Sequence, residues 1–88
     1  MPPYRVLVVT TEFLVSFTAL SQGDQRRVLR ALALLDEDER HPSLRVHQLT
    51  GALAGQWSAS ASRSLRITFA RLDGGRKQLI DASQHYGD

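Results

Sequence analysis

Cysteine is absent from the 88 residues, which excludes disulfide stapling, thiol nucleophiles and thiolate metal sites. The apolar core has to hold the domain together without them. No run approaches the roughly 18 apolar residues that a membrane-spanning helix needs. Met1–Arg5 lacks the charged-then-apolar plan of a secretory signal, so a cytoplasmic location with no membrane partner is expected. No glycine-rich loop leads from a strand into a helix, which leaves nucleotide binding of the P-loop or Rossmann type unsupported. His41 and His47 lie six apart in a loop and His85 stands alone, short of the four ligands a structural zinc site normally has, so neither a metal nor another cofactor is expected. No serine sits in a nucleophile elbow. The length itself fits one domain spanning residues 1–88.

Lysine is nearly absent too. Lys77 stands alone beside ten arginines, against nine acids, for a formal charge of +2. Arginine favours planar, bidentate contacts to phosphate, and it also accompanies GC-rich coding. The distribution says more than the total. Asp36 to Glu39 is an acidic block, and from Arg40 through Leu72 no acid occurs at all. That span carries Arg40, Arg45, Arg63, Arg66 and Arg71 together with His41 and His47. Folded onto one surface, it is a candidate anion site; scattered, it is a set of solvated side chains.

What is present reads as alternating elements. Tyr4–Val9 is a β-branched apolar run, predicting a strand buried on both faces. Phe13, Phe17 and Leu20 fall at i, i+4, i+7, predicting a short helix over Glu12–Leu20. Ser21 with Asp24 resembles a capping box. Val28, Ala31, Leu32 and Leu35 mark one face of a second helix over Gln25–Asp38, and so short a link predicts an antiparallel helix hairpin. Arg26, Arg27 and Arg30 near the start of that helix, and the acids at its end, both oppose its dipole. His41-Pro42 stops it. Ser43–Gln56 reads as a loop with some extended character. Trp57–Ser62 alternates, and Leu65, Ile67 and Phe69 alternate with Arg66, Thr68 and Ala70, each predicting a strand. Asp73-Gly74-Gly75 is a hairpin turn and Gln78–Ala82 a returning strand.

The expected architecture is α+β: an N-terminal strand, the antiparallel helix hairpin, then a three-stranded antiparallel meander, with both helices on one sheet face. Ser58, Ser60, Ser62 and Arg66 then point to the open face, and Trp57 to the core.

The basic and histidine side chains left over suit one chemistry. RNA is cut without metal when its own 2′-hydroxyl attacks the adjacent phosphorus. That reaction needs a general base, a cation for the crowded phosphorane and an acid for the leaving 5′-oxygen. Histidine suits both proton roles and arginine the charge role.

The run His41-Pro42-Ser43-Leu44-Arg45-Val46-His47-Gln48-Leu49-Thr50-Gly51 leads into Leu53-Ala54-Gly55-Gln56-Trp57-Ser58. Leu65-Arg66-Ile67-Thr68-Phe69, Leu79-Ile80-Asp81 and His85-Tyr86 follow. These segments resemble the RelE/ParE superfamily of bacterial toxins from type II toxin–antitoxin modules, in the branch with YoeB and YafQ. The resemblance implies a RelE-like fold and a ribosome-dependent mRNA endoribonuclease that uses metal-independent 2′-hydroxyl attack. It implies a cognate antitoxin, the ribosome and mRNA as partners, and operator DNA only through the antitoxin complex.

Carried over by position, Arg66 is the arginine that stabilises the transition-state phosphate, and His85 is the expected general acid. Tyr86 is the aromatic that follows it. His47 falls where the branch places its general base. Arg45 and Arg63 are expected phosphate contacts. The Ala59-Ser60-Ala61-Ser62 run stands where active relatives often carry basic residues. Two other readings therefore stay open: a ParE-type gyrase inhibitor without catalysis, and a decayed toxin that only binds its antitoxin.

Overall fold

The computed structural model describes residues 4–84. In chain order the elements are β1 (Leu7–Val8), α1 (Thr11–Thr18), α2 (Gln22–Glu37), β2 (His47–Gln48), β3 (Trp57–Ser60), β4 (Leu65–Arg71) and β5 (Lys77–Gln84). The strands form one mixed sheet in the order β1-β5-β4-β3-β2. The meander anticipated from the alternation is β3-β4-β5, antiparallel throughout.

Two edge strands flank it. β1 pairs parallel with β5, and β2 pairs antiparallel with β3. Each edge strand is only two residues long, too short for a period to be read from sequence. β2 lies inside the segment expected to be a loop.

The N-terminal run is therefore not a strand over Tyr4–Val9, and Val8 stays only half-buried. Its backbone donors have other partners. Asp36, near the end of α2, accepts from the Arg5 N–H at 3.0 Å and the Val6 N–H at 2.7 Å. Past Val8, α1 takes over the outer edge of β5. The Thr10 hydroxyl caps α1 by accepting from Phe13 N–H and donates to the Leu79 carbonyl at 2.8 Å. Ser16 Oγ accepts from Ala82 N–H at 3.0 Å. Two helix hydroxyls thus satisfy edge groups that a longer β1 would otherwise pair.

The core lies on one side of the sheet. Phe13 and Phe17 of α1 and Val28, Ala31, Leu32 and Leu35 of α2 pack into one cluster with Leu65, Ile67 and Phe69 of β4. The burial of β4 alternates strictly from Leu65 to Phe69, as expected for a strand with one face on the core. β5 changes phase within itself: Lys77 and Leu79 are buried, then Ala82. Register slips between Thr68 and Phe69, which face Asp81 and Leu79, so Ile80 is the extra residue of a β-bulge.

Ser21 caps α2, accepting from Asp24 N–H at 3.2 Å, and the helix starts at Gln22 rather than Gln25. Only half of the capping box forms. Asp24 instead binds Arg27 and, across to β5, accepts from the Gln84 amide at 2.6 Å.

Candidate functional site

Directly opposed residues of an antiparallel ladder share a face. His47 opposes Ser58, and Ser60 opposes Arg66. Ala59 between the two serines points into the core. His47, Ser58, Ser60 and Arg66 therefore share the sheet face turned away from the helices. His47 rides on β2 and Arg66 on β4, on either side of β3 and two residues apart in register. Ladder spacings put their Cα atoms about 12 Å apart, a gap that two converging side chains can close around one phosphodiester.

Each of these side chains is oriented by a specific contact. Arg66 is half-buried, and its Nη1 donates to Ser60 Oγ at 2.6 Å. One donor is thereby fixed on the sheet, and the guanidinium keeps others for a ligand. His47 is exposed, with Nδ1 2.9 Å from the Arg45 carbonyl oxygen. A carbonyl only accepts, so Nδ1 carries the proton and Nε2 of the neutral ring holds the free lone pair. That tautomer presents Nε2 as a base. Arg45 makes the contact possible through its left-handed backbone (φ 46°), which turns the chain from Leu44 into β2.

The expectation that Ser58 and Ser60 stand on an open surface is corrected. They are 4% and 9% exposed. Ser60 is enclosed as the partner of Arg66, and the short helical turn Pro42–Leu44 packs against β3.

An open groove of about 840 Å³ runs between α2, the Pro42–Arg45 segment and the β3–β4 turn. Arg27 and Arg30 line it from α2, Arg45 from the loop and Arg63 from the turn, and no acid does. Arg27 pairs with Asp24 at 3.0 Å. Among the described residues no carboxylate pairs with Arg30, Arg45 or Arg63. The groove thus gathers both expected phosphate contacts and adds two arginines that sequence reasoning had not assigned to a site. The signal was available: these were the arginines set against the dipole of α2. Ser60 also lines the groove, so the groove and the Arg66 position meet at one residue.

The other charges of the acid-free span go elsewhere. Arg71 belongs to no anion site: its Nη1 and Nη2 donate to both carboxylate oxygens of Glu39, at 3.0 and 2.6 Å. Its guanidinium also lies 4.1 Å from the Trp57 ring centre. Trp57 is accordingly half-buried, packing against the core as expected while lying under a cation. Lys77, only 6% exposed, reaches the same carboxylate at 3.0 Å. The Arg71 hydrogen bond, with help from Lys77, outweighs burial and pulls Glu39 down to about 2. Asp36 and Asp38, at the end of α2, have backbone partners as well. Burial works against the Asp36 carboxylate, but the Val6 and Arg5 N–H bonds prevail and lower its pKa. Asp38 accepts from Arg40 N–H at 3.0 Å. His41 caps the following turn, its Nδ1 accepting from Ser43 N–H.

Two site candidates, His85 and Tyr86, lie outside the described residues.

The whole architecture has solved counterparts. The YoeB/ParE toxin from Agrobacterium tumefaciens superposes with a TM-score of 0.71 at 17% identity, over 93% of this chain and 100% of that one. YafQ from E. coli gives 0.73 at 12% identity, over 91% and 92%. The toxin–antitoxin complex RelBE2 from Mycobacterium tuberculosis gives 0.63 at 21% identity, over 96% and 100%. The chain has the RelE/ParE toxin fold. No protein-family model matches its sequence, and no curated protein sequence matches it. The likeness is thus one of backbone path. On the RelE/ParE fold, His47, Arg66 and the arginine groove are properties of this chain's own residues. Among the described residues no helix is long and apolar enough to cross a membrane.

Proposed function

We propose that the chain is the toxin of a type II toxin–antitoxin module and acts as a ribosome-dependent mRNA endoribonuclease. The observation that carries this reading is the pairing of His47 and Arg66 on one sheet face, beside a groove lined by arginine and free of acid. His47 Nε2 takes the proton of an RNA 2′-hydroxyl, whose oxygen attacks the adjacent phosphorus. Arg66, already oriented by Ser60, faces the negative charge that accumulates on the phosphorane oxygens. As the bond to the 5′-oxygen breaks, that oxygen needs a proton, the role the family resemblance gives to His85. The products are a 2′,3′-cyclic phosphate and a free 5′-hydroxyl.

The partners follow from the same reading: mRNA on the ribosome, a cognate antitoxin, and operator DNA through the antitoxin complex. Neighbours on this fold support the antitoxin, since YafQ from E. coli was solved as the DinJ-YafQ toxin-antitoxin complex.

The test is made in translating cells. Induction of the chain is expected to arrest growth and to produce new mRNA 5′ ends at A-site codons, and Arg66→Ala is expected to abolish both. Growth arrest with intact mRNA and a DNA-damage response would replace this reading by gyrase inhibition. Harmless expression of soluble, folded protein would leave antitoxin binding as its activity.

A further inference from the structure

We infer that the arginine groove is a second binding site, for the phosphodiester backbone of the single RNA strand whose scissile phosphate sits at Arg66. The inference rests on the ribonuclease reading and extends it to ground that the reacting residues do not cover.

Three observations point to this occupant. The first is charge. Arg27, Arg30, Arg45 and Arg63 come from three separate segments and converge on one groove with no acid in its lining. Arg30, Arg45 and Arg63 have no carboxylate partner among the described residues. Converging, uncompensated guanidinium groups repel one another until an anion arrives, and their fork geometry matches phosphate oxygens.

The second is the character of the lining. Ser43, Ser60 and Ser62 supply hydroxyls between the arginines, and Ala31 and Leu44 are buried beneath. Arginine with serine is the pairing that tracks a sugar–phosphate backbone. Leu34, Pro42 and Ala61 add partly exposed apolar surface to the lining, against which sugar carbons can pack, whereas a base-reading site would require aromatic rings to stack on. The groove lining has no aromatic residue.

The third is continuity. Ser60 lines the groove and also accepts the hydrogen bond from Arg66. A strand lying along the groove is delivered to Arg66 at that serine, so the groove sets which phosphate reaches the reacting face. With backbone contacts and no stacking ring, it fixes position without reading sequence.

The experiment uses the full chain carrying Arg66→Ala, so that no cleavage can occur, and a short fluorescein-labelled oligouridylate at low salt. Anisotropy is expected to show binding that weakens roughly 3–10-fold for each of Arg30→Gln, Arg45→Gln and Arg63→Gln. The slope of log K against log salt is expected to fall by about 0.7 for each contact removed. Arg76→Gln removes the same charge from the β4–β5 turn, at the far end of the sheet, and is expected to change binding little. Thermal melts check that every variant is folded.

Equal losses in Arg76→Gln and the groove variants would overturn the inference, because they would reduce the effect to net charge. So would tight binding of an oligoglutamate peptide where oligouridylate does not bind. The two proposals fail separately. Groove-dependent binding without mRNA cleavage in cells would sink the nuclease reading alone. Cleavage that depends on Arg66, with binding indifferent to Arg30, Arg45 and Arg63, would sink the groove alone.

Discussion

Two clusters of basic side chains lie in this fold, and they have opposite fates. Around Glu39, Arg71 and Lys77 share one carboxylate, and Trp57 lies under the Arg71 guanidinium. Around the groove, Arg30, Arg45 and Arg63 face one another with no acid between them. Both clusters draw on the stretch of chain that contains no acid. The Glu39 cluster becomes structural because α2 ends beside it and delivers an acid from outside that stretch. The groove has no acid in its lining, and Arg30, Arg45 and Arg63 have no carboxylate partner among the described residues. Local composition therefore does not tell a binding arginine from a structural one; the carboxylate that the fold brings, or fails to bring, makes the difference.

That contrast can be broken from either side. The largest effect is expected on the reacting face. Arg66→Ala and His47→Gln should each lower A-site cleavage by about 10²–10³-fold in a reconstituted translation assay, from loss of charge stabilisation and of the base respectively. Urea midpoints should stay nearly constant, because neither side chain belongs to the core. A large fall in stability with Arg66→Ala would show its bond to Ser60 to be structural and place it with Arg71.

Next comes Glu39→Gln. It leaves buried Lys77 and the paired Arg71 without a counter-charge, at a cost on the order of 3 kcal/mol. Urea denaturation with an unchanged m-value would measure it. Oligouridylate binding should not weaken. Tighter binding that depended on Arg71 would mean that the freed Arg71 had become a ligand site.

The same carboxylate sets an acid limit. Glu39 sits at about 2 in the folded chain against an ordinary 4.5, so its contribution is fully present above that ordinary value. It is lost as the pH falls from about 4.5 towards 2. Asp36, also lowered, acts in the same direction. Stability should therefore decline across that window. Glu39→Gln should flatten the decline without abolishing it, as measured by urea midpoints at stepped pH.

The smallest effect belongs to the groove. Arg30→Gln should leave the melting temperature unchanged and raise the apparent KM for cleavage a few-fold with kcat nearly constant. That is the signature of lost binding common to ground and transition states. A fall in kcat instead would move Arg30 to the reacting face.

Much of this was legible before the fold was known. The apolar positions of α1 and α2 and the alternation of β4 are read by eye, because packing against one core imposes periods of 3.6 and 2 on the residues that touch it. The Ser21 cap and the hairpin glycines are local chemistry and are equally readable. Gly74 and Gly75 both take positive φ at the β4–β5 turn, where a side chain is strained. The serine alternation of β3 was read correctly for direction and wrongly for exposure. The cover over Ser60 comes from Arg66 on the next strand and from segments distant in sequence, and no local pattern encodes them.

The sequence by itself determined the two helices, the Ser21 cap, the meander and the identity of the side chains able to handle a phosphate. Those depend on a residue and its neighbours within a turn or two of chain. The tertiary structure alone decided the partners. It set Glu39 against Arg71 and Lys77, 32 residues from the first of them in sequence. It laid β2 beside β3 so that His47 and Arg66 share a face. It brought Arg27 and Arg30 from the start of a helix to the same groove as Arg45 and Arg63. Charge acts through space and falls off with distance in space, so only the folded path settles which arginine meets an acid and which is left to meet an anion.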